Sequence, residues 1–152
     1  MTESYFGNTA KIAAAIEAGL VTRGATVSRH DPSDAPTLDG VDQLIVGSAT
    51  HAMGLPNRRT RQQAETQGGR HATTGVAEWL GSLPAHPKCQ VAAFSTVTGG
   101  VFAGSASKAI AKLLRSRATS TIARADFRVA GVSGPLVDGE MDRARAWGES
   151  LV

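Results

Sequence analysis

This chain has almost no cysteine, no long apolar run, few aromatic residues and no metal-ligand spacing. Cys89 is the only cysteine in 152 residues, which excludes an intramolecular disulfide and a cysteine-rich metal site. Standing inside an apolar run, it reads as core packing. No apolar stretch approaches the roughly 20 residues that cross a bilayer, so membrane insertion is not expected. The first residues are polar, without a basic and apolar leader, and a cytoplasmic location is the default expectation. Aromatic residues make up 5% of the chain and are scattered, and no RNA- or DNA-binding motif accompanies the net charge of +3. Nucleic acid is therefore not an expected partner.

The catalytic signatures are missing too. His30, His51, His71 and His86 lie far apart and without ligand spacing. There is no Gly-x-Ser-x-Gly elbow and no His-Glu-x-x-His pair. Gly99 and Gly104 have the glycine spacing of a P-loop, but Ser105 and Ala106 stand where a lysine and a hydroxyl are required, which excludes that nucleotide-triphosphate site. Hydrolytic and metal-dependent chemistry have no residues to rest on.

What is present is a soluble-type composition, 41% hydrophobic, in a length that suits one domain over residues 1–152. Residues 9–24 have the period of an amphipathic helix ending in Arg23-Gly24. Residues 25–30 alternate as a strand, and 31–36 form a proline-rich turn. Residues 41–47, centred on Leu44-Ile45-Val46, are a continuous apolar run of the kind a strand buried on both faces shows. A loop over 48–57 follows at its carboxyl end. Arg58, Arg59 and Arg61 come next, either a solvated face or a partner-docking patch.

Residues 65–75 read as a mobile loop, and 76–83 as a short helix with Trp79 in the core. Residues 91–94 form a second buried strand, and 95–104 a second glycine-rich loop on the same edge. A helix over 105–118 carries the stripe Ala106, Ala109, Ile110, Leu113 and Leu114. Strand material over 119–131 and a last helix over 138–151, with Met141, Ala144 and Trp147 on one face, complete a doubly wound α/β pattern.

Ser4-Tyr5-Phe6-Gly7-Asn8-Thr9 stands immediately before the first helix. Small and hydroxyl side chains there leave main-chain N–H groups free, and the positive end of the helix adds to them, so a phosphate can be held without a lysine. The same residues read equally as a loop that caps a helix. His51 lies in the next candidate ligand loop, with a hydrogen-bonded structural role as the alternative.

Taken together, Glu3 to Thr9, then Val46-Gly47-Ser48-Ala49-Thr50-His51-Ala52-Met53-Gly54-Leu55, then Arg143-Ala144-Arg145-Ala146-Trp147-Gly148 resemble the flavodoxin-like family, especially its short single-domain bacterial members. The resemblance runs in order over nearly the whole chain. It implies an open parallel sheet in the order 2-1-3-4-5 with flavin mononucleotide (FMN) at the switch point. By position, Ser4, Tyr5, Phe6, Gly7, Asn8 and Thr9 match the phosphate loop. Ala49, Thr50, His51, Met53 and Gly54 match the first loop beside the isoalloxazine, and Ser95, Thr96, Val97 and Gly99 the second. The resemblance also makes the Met53-Gly54 peptide the main-chain group that meets the flavin N5.

Three departures follow. Only Met1-Thr2-Glu3 precede Ser4, so the first strand of the sheet is expected to be truncated or missing, with an upstream start or a rearranged fold as the explanation. Met53 and a displaced Phe102 stand where many flavodoxins place aromatics. The chain is basic where free electron carriers of the family are usually acidic, so their usual basic partners would be repelled. Two functions remain open. One is an FMN-binding electron-transfer flavoprotein, or an FMN-dependent oxidoreductase such as a flavin reductase, exchanging one or two electrons with a redox protein or quinone. The other is a flavodoxin-like binding or regulatory module that has lost flavin. Either accommodates a homodimer.

Overall fold

The computed structural model describes residues 1–83, 89–99, 104–115 and 122–152. In chain order the elements are β1 (Thr2–Glu3), α1 (Asn8–Thr22), β2 (Gln43–Ala49), α2 (Arg58–Thr66), α3 (Val76–Ser82), β3 (Gln90–Thr98), α4 (Ala106–Arg115), β4 (Ile122–Val129) and α5 (Glu140–Glu149). The four strands are parallel and lie in the order β1-β2-β3-β4. Helices cover both faces, as crossovers between parallel strands require.

On one face α1 and α5 bury Ile12, Ile16, Leu20 and Ala144 against Phe94 and Phe127. On the other, α3 and α4 bury Val76, Trp79, Leu80, Ile110 and Leu114 against Leu44, Val46 and Val91. Fully burying each large apolar side chain contributes about 1.5–3 kcal/mol. The α1–α5 contact needs glycine on both helices. A Cβ on Gly19 would lie 2.1 Å from the Arg145 carbonyl oxygen, and one on Gly148 would lie 2.3 Å from that of Ile16. Cys89 packs in the second core, as its sequence context implies.

The doubly wound α/β architecture agrees with the sequence reading, and several boundaries do not. Residues 25–30 join no strand. With β1 only two residues long, the Thr2 N–H reaches the His30 carbonyl at 2.9 Å and nothing extends that ladder. The sheet thus has the expected order without its outermost member. β3 runs to Thr98, so Ser95, Thr96 and Val97 are strand residues rather than loop; they pair with β2 on one side and β4 on the other. Helix α2 takes in Glu65 and Thr66, which were expected in a loop. Leu113 and Met141, placed on core-facing stripes by their spacing, are 40% and 41% exposed. Phe102, His86 and the expected end of α4 at Ala118 lie outside the described residues.

Among the described residues no helix is long and apolar enough to cross a membrane, and no cluster of His, Cys, Asp or Glu has metal-site geometry.

Candidate functional site

The carboxyl ends of β1, β2 and β3 lie side by side, and the loops that leave them converge there. Gly7 is the N-cap of α1, at φ 85°, a left-handed conformation that costs other residues about 1–2 kcal/mol. Among the described residues, the N–H groups of Gly7, Asn8 and Thr9 donate to no protein acceptor. The Ser4 hydroxyl accepts from the Ala10 N–H at 3.2 Å and closes the first turn. Ser4, Gly7 and Ala10 border a recess of about 390 Å³ that Arg29, His30, Asp31 and Arg70 also line, with Arg29 paired to Glu17 and Arg70 to Asp31. Free N–H groups at a helix N-terminus form a donor set suited to a phosphate.

Arg70 was not singled out from the sequence, because it falls in a stretch with no periodicity. Its main-chain N–H donates to the Tyr5 carbonyl at 2.9 Å, its Nε donates to the Ser4 carbonyl at 3.4 Å, and its guanidinium pairs with Asp31. It pins the phosphate loop from outside.

The other expected site residues divide into those that tie loops together and those left at the surface. Thr9 and Thr96 share a hydroxyl hydrogen bond of 2.8 Å. The Thr50 N–H donates to the Thr96 carbonyl at 3.0 Å, and the Thr50 hydroxyl accepts from the Ala106 N–H at 3.0 Å. Asn8 donates to the Ser133 carbonyl at 2.9 Å. Tyr5 is buried, its hydroxyl bonded to Glu3, and its ring lies 5.0 Å from that of His51. Half-buried His51 has its pKa pushed down by burial, against an opposing hydrogen bond with the Thr60 main chain. Phe6 is partly exposed, and Ala49 closes β2.

His51 and Gly54 close a tight turn with reciprocal bonds of 3.0 and 2.9 Å. Ala52 and Met53 at its tip both have positive φ, 45° and 71°, as a type I′ turn requires. Met53 is 69% exposed. The Gly54 N–H is thus committed to His51, while the Met53 carbonyl faces Gly104, where a Cβ would lie 2.0 Å from it. Gly99 ends the β3 loop under Arg128, whose guanidinium would stand 3.0 Å from a Cβ placed there.

Two polar clusters support the site from behind. In the first, buried Glu3 accepts from Tyr5, from the Ser48 hydroxyl at 3.2 Å and from the Val76 N–H at 2.9 Å, with the Arg61 guanidinium 4.0 Å away. Burial outweighs these contacts and raises the Glu3 pKa. Arg61 is itself 5% exposed and grips Glu78 with both terminal nitrogens, at 3.1 and 2.6 Å. It is therefore neither a solvated charge nor a docking residue, unlike Arg58 and Arg59, which are exposed.

In the second cluster, Ser95, Ser105 and Ser107 all donate to Asp126 Oδ1. Burial pushes the Asp126 pKa up, but the three hydroxyls and Arg124 more than offset it and hold the carboxyl below its usual range. The Ser95 hydroxyl is spent here, beneath α4.

Known structures share this fold. A flavodoxin from the domain Archaea superposes with a TM-score of 0.64 at 20% identity, covering 99% of this chain and 92% of that one. Oxidised flavodoxin 1 from Bacillus cereus superposes with a TM-score of 0.65 at 16% identity, covering 93% and 87%. No protein-family model and no curated protein sequence matches. The fold of this chain is flavodoxin-like.

Proposed function

We propose that this chain binds FMN and works as an electron-transfer flavoprotein. The observation that carries the proposal is the set of free N–H groups at Gly7, Asn8 and Thr9, with the loop around them held by the Thr9–Thr96 and Arg70–Ser4 contacts. A preorganised donor set costs little further ordering on binding. Ser4 to Thr9 would hold the FMN phosphate. His51 and Met53 after β2, with Val97 near the end of β3 and Gly99 just after it, would flank the ring.

Bound flavin supplies one- or two-electron transfer; the protein's part is to bind and orient it and to set the polarity around it. Meeting the ring with the Met53-Gly54 peptide requires the 51–54 turn to open, because its N–H is bonded to His51 and its carbonyl packs on Gly104. Arg128, over Gly99, would place a cation near the second loop and favour a negatively charged reduced ring. Exposed Arg58 and Arg59 on the first turn of α2 suit an acidic redox partner, whose association would weaken as salt rises.

The test is an absorbance titration of the purified protein with FMN, beside a Gly7→Ala variant. Saturable binding with a bound-flavin spectrum is expected, and weaker binding by the variant. A folded protein that leaves the spectrum of added FMN unchanged would overturn the proposal and turn attention to a binding module without flavin.

A further inference from the structure

Positive charge is not spread evenly along this chain. Between Glu78 and Asp126 the sequence holds six of its 16 Lys and Arg, namely Lys88, Lys108, Lys112, Arg115, Arg117 and Arg124, and none of its 13 Asp and Glu. The remainder is net acidic, so the whole basic excess belongs to this stretch. Lys88 and Arg117 lie outside the described residues.

Helix α4 turns its cations to one side. With about 3.6 residues per turn, Lys108, Lys112 and Arg115 fall in a single stripe about 10 Å long. All three are exposed, whereas Ala106, Ile110 and Leu114 on the other side of the helix are fully buried. Arg124 of β4 adds a cation beside the first turn, where its guanidinium donates to the Ser107 hydroxyl at 3.1 Å. Among the described residues no carboxylate pairs with Lys108, Lys112 or Arg115. Asp126 is already engaged, by Arg124 and by the hydroxyls of Ser95, Ser105 and Ser107.

Helix stability does not account for the whole stripe. The helix dipole favours cations in the last turn, which explains Lys112 and Arg115. Lys108 stands in the first turn, where the dipole opposes it, and four residues before Lys112, where like charges repel. A facing row of carboxylates offsets both.

We propose that the outer face of α4 docks an acidic protein surface, a partner helix that presents carboxylates at the same i, i+4, i+7 spacing. The apolar side of α4 is committed to the core, and Leu113, 40% exposed, is set off the stripe by its spacing. The stripe therefore has no apolar side chain to insert into a bilayer and no aromatic to stack on a base. Because the Ala106 N–H donates to the Thr50 hydroxyl, a partner seated here stands beside the loop that follows β2.

The probe is a labelled alanine-based helical peptide with glutamates at i, i+4 and i+7, beside a peptide of the same composition whose glutamates are spread round the helix. Fluorescence anisotropy is read with the parent chain, with Lys108→Glu/Lys112→Glu, and with Lys11→Glu/Arg23→Glu, which makes the same charge change at the ends of α1 on the opposite face of the sheet. Saturable binding of the patterned peptide is expected, weakened about tenfold by the α4 reversal, weakened also by salt, and little changed by the α1 reversal. Should the α4 reversal unfold the chain, Lys108→Gln with Lys112→Gln removes the charge without adding any.

A parent chain that does not bind the patterned peptide would overturn the proposal. So would equal losses from the two reversals, equal binding of the two peptides, or tighter binding through Lys108 and Lys112 to duplex DNA or to phosphatidylserine vesicles. No flavin enters these readings, so this inference and the FMN reading fail separately.

Discussion

The two ends of β2 are finished differently: Gln43-Leu44-Ile45 at one end and the small residues Gly47-Ser48-Ala49 at the other. At the carboxyl end, the Thr50 N–H bonds to β3, the Thr50 hydroxyl caps α4, and Thr9 bridges from α1 to Thr96. At the amino end, β2 has a neighbour only on the β3 side, and the Ile45 N–H and Gln43 carbonyl face a slot. The difference shows what a parallel sheet needs. A strand inside such a sheet is satisfied only with a neighbour on each side, and side-chain bridges can lock loops only where that ladder already holds the backbone. Here the closed end carries the candidate anion site, and the open end borders the recess between β2 and residues 25–30.

The largest expected effect breaks the closed end. Arg61→Met keeps the packing of the side-chain stem but leaves Glu3 without its nearby cation and strips Glu78 of its partner. Leaving a buried charge uncompensated typically costs about 3–5 kcal/mol. A loss near the lower figure is expected in urea unfolding, and Glu3→Gln in the same background should restore part of it. A loss below about 1 kcal/mol would mean that β1 is anchored by its ladder alone.

The second effect sharpens the comparison from the open end. In the folded chain the Met1 ammonium has its pKa near 6, below its ordinary 8.0, because it is buried. Between those values the unfolded chain binds more proton than the folded one, so stability rises as pH rises from 6 to 8 and the contribution is lost on acidification. Two pH units correspond to roughly 2–3 kcal/mol. Because Glu3 titrates in both forms, the measurement is the difference between the free and the Nα-acetylated chain at pH 6, 7 and 8. The acetylated chain should lack this rise. Parallel pH profiles would show the amino end to be open to water.

The smallest effect returns to the loop of the closed end. A Cβ on Gly7 meets no atom within 4 Å, so Gly7→Ala is opposed only by the backbone at φ 85°. A stability loss of about 1–2 kcal/mol follows. A stabilised variant in urea unfolding would mean that the loop relaxes out of that conformation.

Much of this was legible in the residues. The continuous apolar runs around Val46 and Ala93 marked strands covered on both faces, and the spacing of Ile12, Ala15, Ile16 and Leu20 marked the buried side of α1. Ser4 to Thr9 stood out because small and hydroxyl residues ahead of a helix suit a phosphate loop as well as a helix cap. Arg61, Arg70 and Arg128 were not legible, since a guanidinium's partners come from distant segments: Glu3 and Glu78, Ser4 and Asp31, and Gly99 respectively. The inward turn of Ser95 was hidden for the same reason, because Asp126 reaches it only across the β3–β4 pairing.

By itself the sequence determined the alternation of strands and helices and the flavodoxin-like order of the chain, because hydrophobic period and turn chemistry are local properties. Tertiary structure alone decided which charges are buried, how Thr9, Thr50 and Thr96 tie α1 and the loop after β2 to β3, and that residues 25–30 lie extended beside β1 without joining the sheet. Hydrogen bonding between strands and the burial of charge depend on what lies across a gap in space, and a linear order of residues does not contain that distance.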